Sequence, residues 1–76
     1  MNKARRKSVE EIISKLEEIR DQISELAEEE QEAFDNLPEG LQMSERGETM
    51  EEYASTLEEA SSSIDETITN LQEVLY

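Results

Sequence analysis

Carboxylates are the one reactive group this chain has in quantity: 21 Asp and Glu among 76 residues, beside seven Lys and Arg and no His or Cys. Paired carboxylates run general acid–base and glycoside chemistry. At this density, though, most acids lie close to another acid, and adjacency singles out no pair. Without His there is no side chain that titrates near neutral pH, and without Cys there are no disulfides, thiolates or zinc sites of the usual kind. Asp35-Asn36-Leu37-Pro38-Glu39-Gly40 opens like a calcium loop with glycine in sixth place. Leu37 and Glu39, however, hold its third and fifth positions, and Arg46 stands twelfth, where a bidentate Glu belongs. The expectation is a non-enzymatic chain with no catalytic residue, no cofactor and no metal.

What the acids can do together is present a field. Rows such as Glu10, Glu17, Glu28 and Glu32, then Glu51, Glu52, Glu58, Glu59, Glu66 and Glu73, would coat a helical rod with negative charge. A rigid carboxylate array imitates the phosphates of DNA and can occupy a basic nucleic-acid groove of another protein, gaining from steering and counterion release. The plainer reading of the same rows is a solvated, solubilising surface. Candidate partner-binding residues are Glu28, Glu32, Asp35, Glu39, Arg46, Glu51, Glu52, Glu58 and Glu59. Arg46 is expected to clamp Asp35 or Glu39 across a bend, and Ser61-Ser62-Ser63 to mark a weak helical turn.

The elements that would carry these rows show in the apolar spacing. From Val9, alternating steps of three and four reach Ile12, Leu16, Ile19, Ile23, Leu26, Glu30, Ala33 and Leu37; from Met50 they reach Tyr53, Leu57, Ala60, Ile64, Thr67, Leu71 and Val74. These are a/d heptad seams, with Val9 and Met50 at a. The core and oligomer seam is assigned to Val9, Ile12, Leu16, Ile19, Ile23, Leu26, Met50, Tyr53, Leu57, Ile64, Leu71 and Val74. Ser8 with Glu11 has the capping-box spacing for a start near Ser8, leaving residues 1–7 as a frayed basic head. Ser44 is the expected cap of the second helix, with Thr49 as competitor. A start at Ser44 puts Met43 and Met50 on one seam.

Pro38 ends the first helix near Asn36, and Gly40 is expected to permit the turn. The chain divides into a basic head (1–7), a first helix (8–36), a connection (37–44) and a second helix (45–75), all one domain. Phe34, Leu37, Pro38, Leu41 and Met43 are too apolar for a free linker and are expected to plug the end of the rod. The fold class is all-α: an antiparallel, coiled-coil-like two-helix hairpin. Ile13, Ala27, Phe34, Ala54, Ile68 and Leu75 at e widen the stripe beyond what one neighbouring helix covers. A homodimer forming a four-helix bundle is therefore expected. The basic head would then lie beside Glu66 and Glu73.

Charge and hydropathy set the surroundings. From Ser8 onward three bases face all 21 acids, a balance of −18 within a net −14. Such a body repels phosphate backbones, so no direct nucleic-acid binding is expected, and partners with basic surfaces are favoured. Acids follow the basic head where a signal peptide needs an apolar run, and no stretch approaches the roughly 20 apolar residues of a membrane span. A soluble, cytoplasmic location is expected.

EEEQEAFDNLPEGLQMSERGETMEEY, residues 28–53, resembles a family of small acidic helical proteins of bacteriophages and bacterial mobile elements. Their shared stretch is approximately E-E-Q-E-x-F-D-N-L-P-E-x-L-Q-x-S-x-R-G-E. Glu29, Glu30, Gln31, Glu32, Phe34 to Glu39, Leu41, Gln42, Ser44, Arg46, Gly47 and Glu48 fit it, about a third of the chain. The resemblance implies a helical hairpin at work in a bacterial host cell, and brings no catalytic residues. Combined with the acidic surface, it leads to an interaction module that binds and inhibits a host defence or DNA-handling protein. The alternative is a structural coiled-coil accessory or adaptor in a larger phage or replication assembly.

Overall fold

A computed structural model describes all 76 residues, and 66 of them are helical in three elements: α1 (Lys3–Asp35), α2 (Glu39–Gln42) and α3 (Glu45–Glu73). Helix α1 turns back through the single turn α2 and pairs along its length with α3. The result is a rod of 59 × 14 × 13 Å with a radius of gyration of 17.3 Å, where a compact chain of this length would have about 11 Å. The hairpin of the sequence reading is what forms.

Helix α1 starts five residues ahead of the expected Ser8. Asn2 is its N-cap, accepting the Arg5 amide on Oδ1 at 2.8 Å, so the basic stretch is helical rather than frayed. Ala, Lys and Arg are good helix formers, and a cap upstream outweighs the unfavourable charges in the first turn. Ser8 is then interior and its hydroxyl donates to the Ala4 carbonyl. In the same stretch Arg6 Nη1 donates to the Leu75 carbonyl at 2.5 Å. The head does meet the end of α3, but through a backbone acceptor in place of Glu66 or Glu73. Ser44 caps α3 as expected, accepting the Gly47 amide and donating to the Leu41 carbonyl.

The helices do not meet along a and d. The buried residues are Ile13 and Ala27 on α1 and Gly47, Ala54, Ser61 and Ile68 on α3, all at e. Flanking them, Val9, Leu16, Ile23, Met50, Leu57, Ile64 and Leu71 at a are half-buried. The seam is a/e. The expected d members Ile12, Ile19, Leu26, Tyr53 and Val74 are instead 44–58% exposed.

Side-chain size explains the rotation. Gly47, Ala54 and Ser61 recur every seven residues and let the backbones approach closely, which the d row of α3, with Arg46 and Tyr53, does not. The hydrogen bonds from Ser61 to the Arg20 carbonyl and from Arg6 to the Leu75 carbonyl share one antiparallel register. That register sets Ile13 against Ile68, Ala27 against Ala54 and Phe34 against Gly47, large beside small at the bend.

Ser61 is thus part of the seam within an unbroken helix, where a weak turn was expected. Arg20, at e, enters the same layer. Its Nη1 meets Asp65 Oδ1 at 2.6 Å and its Nε meets Asp21 Oδ1 at 3.2 Å. The hydrogen bond it donates to Asp65, then that to Asp21, holds the Arg20 guanidinium above its usual pKa. A raised base stabilises the fold at all pH values below its unfolded pKa, so this contribution is lost only in strongly alkaline solution. The pairs themselves are partly exposed and screened by salt. Asp65→Asn should lower the thermal midpoint slightly at low ionic strength. In about 1 M salt, where the Debye length is ~3 Å, its melting curve should superimpose on that of the parent.

Candidate functional site

The bend is built differently from its sequence reading. Phe34 and Leu37 are half-buried, but Pro38 and Leu41 are exposed and Met43 is 82% exposed, so only part of the expected plug turns inward. Met43 caps the C-terminus of α2, outside α3, which takes it off the Met50 seam. The connection is closed by polar atoms. Gln42 Nε2 donates to the carbonyls of Phe34 at 3.1 Å and Asp35 at 3.4 Å, satisfying the end of α1.

No glycine has a positive φ, and Gly40 has open space where a Cβ would stand. The glycine that the bend requires is Gly47. A Cβ there would lie 2.3 Å from the Gln42 carbonyl oxygen and 2.6 Å from that of Leu41. Gly40→Ala should therefore stabilise the fold by about 0.4–1 kcal/mol, through reduced freedom of the unfolded chain and better helix propensity; denaturant titration measures it.

Around this frame the acids are strongly sorted. Carrying the heptad rows through both helices, 18 of the 21 acids fall at b, c or f, leaving Glu29 at g, Glu30 at a and Glu39 in the bend. The c and f rows lie away from the a/e seam, and the b rows flank it, where Asp65 meets Arg20. All three lie away from the d rows, which antiparallel pairing brings to one side of the hairpin. The rod has a carboxylate-coated face and a separate apolar one.

Of the candidate partner-binding residues, Glu28, Glu32, Asp35 and Glu58 come together around a groove floored by Ala27 and Ala54, with Ser24 and Gln31 completing its walls. The small Ala27–Ala54 layer leaves this furrow between the helices. Glu39 and Glu51 line a second hollow with Phe34, Gln42, Met43 and Glu48. Glu52 and Glu59, at c, face outward on α3 apart from both. Arg46 joins neither group. The ion pairs of the molecule both belong to Arg20, so the expected clamp on Asp35 or Glu39 does not form, and Arg46 lines a hollow with Glu30, Glu45, Thr49, Met50 and Tyr53.

Gly47, Gln42, Arg20 and Ser61 were not assigned these roles from sequence. The seven-residue recurrence of Gly47, Ala54, Ser61 and Ile68 was the available signal, overshadowed by the larger side chains at d. No three carboxylates converge as a metal-holding group, and no helix is long and apolar enough to cross a membrane. The arrangement can bind positive charge along an extended line of rigidly spaced carboxylates. Comparison with family models, curated proteins and solved structures finds no match to this chain.

Proposed function

We propose that this chain is a non-catalytic interaction module, of phage or mobile-element origin, that acts in the bacterial cytoplasm by occupying the basic groove of a host defence or DNA-handling protein. One observation carries the reading: 18 of 21 acids lie at b, c and f, off the apolar d face of the rod. Held on rods of 33 and 29 residues, the carboxylates are ordered before binding, so docking costs little conformational freedom. Each carboxylate that takes the place of a DNA phosphate is neutralised by a basic side chain of the groove, and the counterions held along the acidic rod are released. The module inhibits by competing with duplex DNA, and it works as a homodimer forming a four-helix bundle, which doubles the acidic surface.

Recovery of bound proteins from host lysate, at low and at high salt and with duplex DNA as competitor, tests this. The expected result is capture of a DNA-binding protein that is lost on raising salt and displaced by the duplex. Capture that survives high salt and ignores DNA would contradict it. That outcome favours the second reading, a structural accessory joined to a larger assembly through the exposed Ile12, Ile19, Leu26, Tyr53 and Val74.

A further inference from the structure

The apolar face has its own chemistry. It consists of the d rows, Ile12, Ile19, Leu26 and Ala33 beside Tyr53, Ala60, Thr67 and Val74, flanked at g by Gln22, Thr49, Thr56, Ser63 and Asn70. Within the d and g rows of both helices Glu29 is the one acid, against Arg5, Lys15 and Arg46. A chain of net charge −14 can approach its own copy without strong repulsion only here. The rod exposes 5852 Å² at a mass of 8.8 kDa, where folded monomers of that mass expose about 4,800 Å². The surplus of about 1,100 Å² over the whole elongated rod is of the order of the roughly 800 Å² that each partner contributes to a standard stable interface.

Charge along the rod sets the direction. Between Glu28 and Glu52, the bend end, there are ten acids and one base, a balance of −9; residues 1–11 and 66–76, the open end, hold four of each. Two hairpins with their bends together would crowd twice −9 at one end. With bends at opposite ends, each acidic bend lies over the neutral open end of its neighbour, bringing Arg5 towards the partner's Glu29.

We infer that the apolar face is the dimer interface, and that a second copy covers it in a two-fold antiparallel arrangement, bends apart, with α1 on α1 and α3 on α3. Ile19, midway along α1, lies at the dyad, with Ala60 the d position nearest to it on α3; Ile12 packs on the partner's Leu26. This names the face and direction of the dimer in the proposed function and rests on that dimer, while the choice of acidic target is independent of it.

The chain has no cysteine, so Gly40→Cys, at a site with nothing within 4 Å, places one spin label at each bend. Sedimentation of the unlabelled parent should give a dimer. Dipolar spectroscopy of the labelled protein should give a separation on the order of the 59 Å rod, against roughly 20 Å, two helix spacings, if the bends were together. Leu26→Glu, which alters a half-exposed position, should yield a helical monomer by sedimentation and circular dichroism. A short distance overturns the direction, and a Leu26→Glu dimer overturns the face, each leaving the dimer itself in place. A monomeric parent overturns this inference together with the dimer, without touching the lysate test of acidic recognition.

Discussion

Gly47→Ala should unfold the bend and lower stability by about 1–3 kcal/mol, opposite in sign to Gly40→Ala. Alanine is the better helix former by ~1 kcal/mol, so propensity alone predicts a gain. Sterics decide otherwise. The added Cβ would sit 2.3 and 2.6 Å from two backbone carbonyl oxygens, and backbone cannot rotate aside as a side chain would. Relief requires α3 to move off α2, which breaks the Ser44 cap and opens the Phe34–Gly47 layer. Overpacking of this kind costs about 1–3 kcal/mol, occasionally more, which in a domain this small is much of the total. Denaturant midpoints of the two variants, measured side by side, check both signs. Equal effects would mean that α2 does not seat on α3 as described.

The second large effect is expected at Ile68, which is 3% exposed and opposes Ile13 in the layer farthest from the bend that is fully closed. Ile68→Ala removes buried methyl groups and leaves a void, at a cost of about 2–4 kcal/mol. Val74→Ala, at a half-exposed d position nearly two turns on, at the C-cap of α3, should cost under about 0.5 kcal/mol in the isolated hairpin. It should cost more wherever a second copy covers it. The contrast separates the a/e seam from the a/d seam by thermal unfolding: under a/d packing Val74 would be the sensitive site.

Both variants turn on what was legible beforehand. The 3.5-residue spacing from Val9 and from Met50 gives two helices; Pro38 and Ser44 give the end of one and the start of the next, and the structure keeps all of these. The face by which the helices meet was not legible from apolar count, because Ile12, Ile19 and Leu26 at d outweigh Arg20 and Ala27 at e by any hydropathy measure. What decides is the fit between backbones, set by Gly47, Ala54 and Ser61, together with the reach of the Arg20 stem, which crosses the seam and leaves its guanidinium with Asp65. At the bend, Met43 and Leu41 read as a plug from hydropathy alone. The turn is closed by Gln42, whose amide reaches the carbonyls of Phe34 and Asp35 at the end of α1, and hydropathy carries no information about that geometry.

The acidic face was legible in kind and only partly in layout. Nine candidate residues were proposed; four of them gather round the Ala27–Ala54 groove. Arg46 makes no ion pair with the acids it was expected to clamp, and the bend is closed by Gln42.

Reversing charge on the acidic face alone is the most direct test of the central claim, that recognition uses the sorted carboxylates. Glu51→Lys with Glu58→Lys changes two exposed b positions and leaves the seam and the apolar face untouched. The quantity to measure is the amount of host protein that the double variant captures at low salt relative to the parent, with helicity followed by circular dichroism. The account predicts a folded protein whose DNA-displaceable capture falls at least tenfold, the equivalent of about 1.4 kcal/mol. Undiminished capture by a fully helical double variant would contradict it.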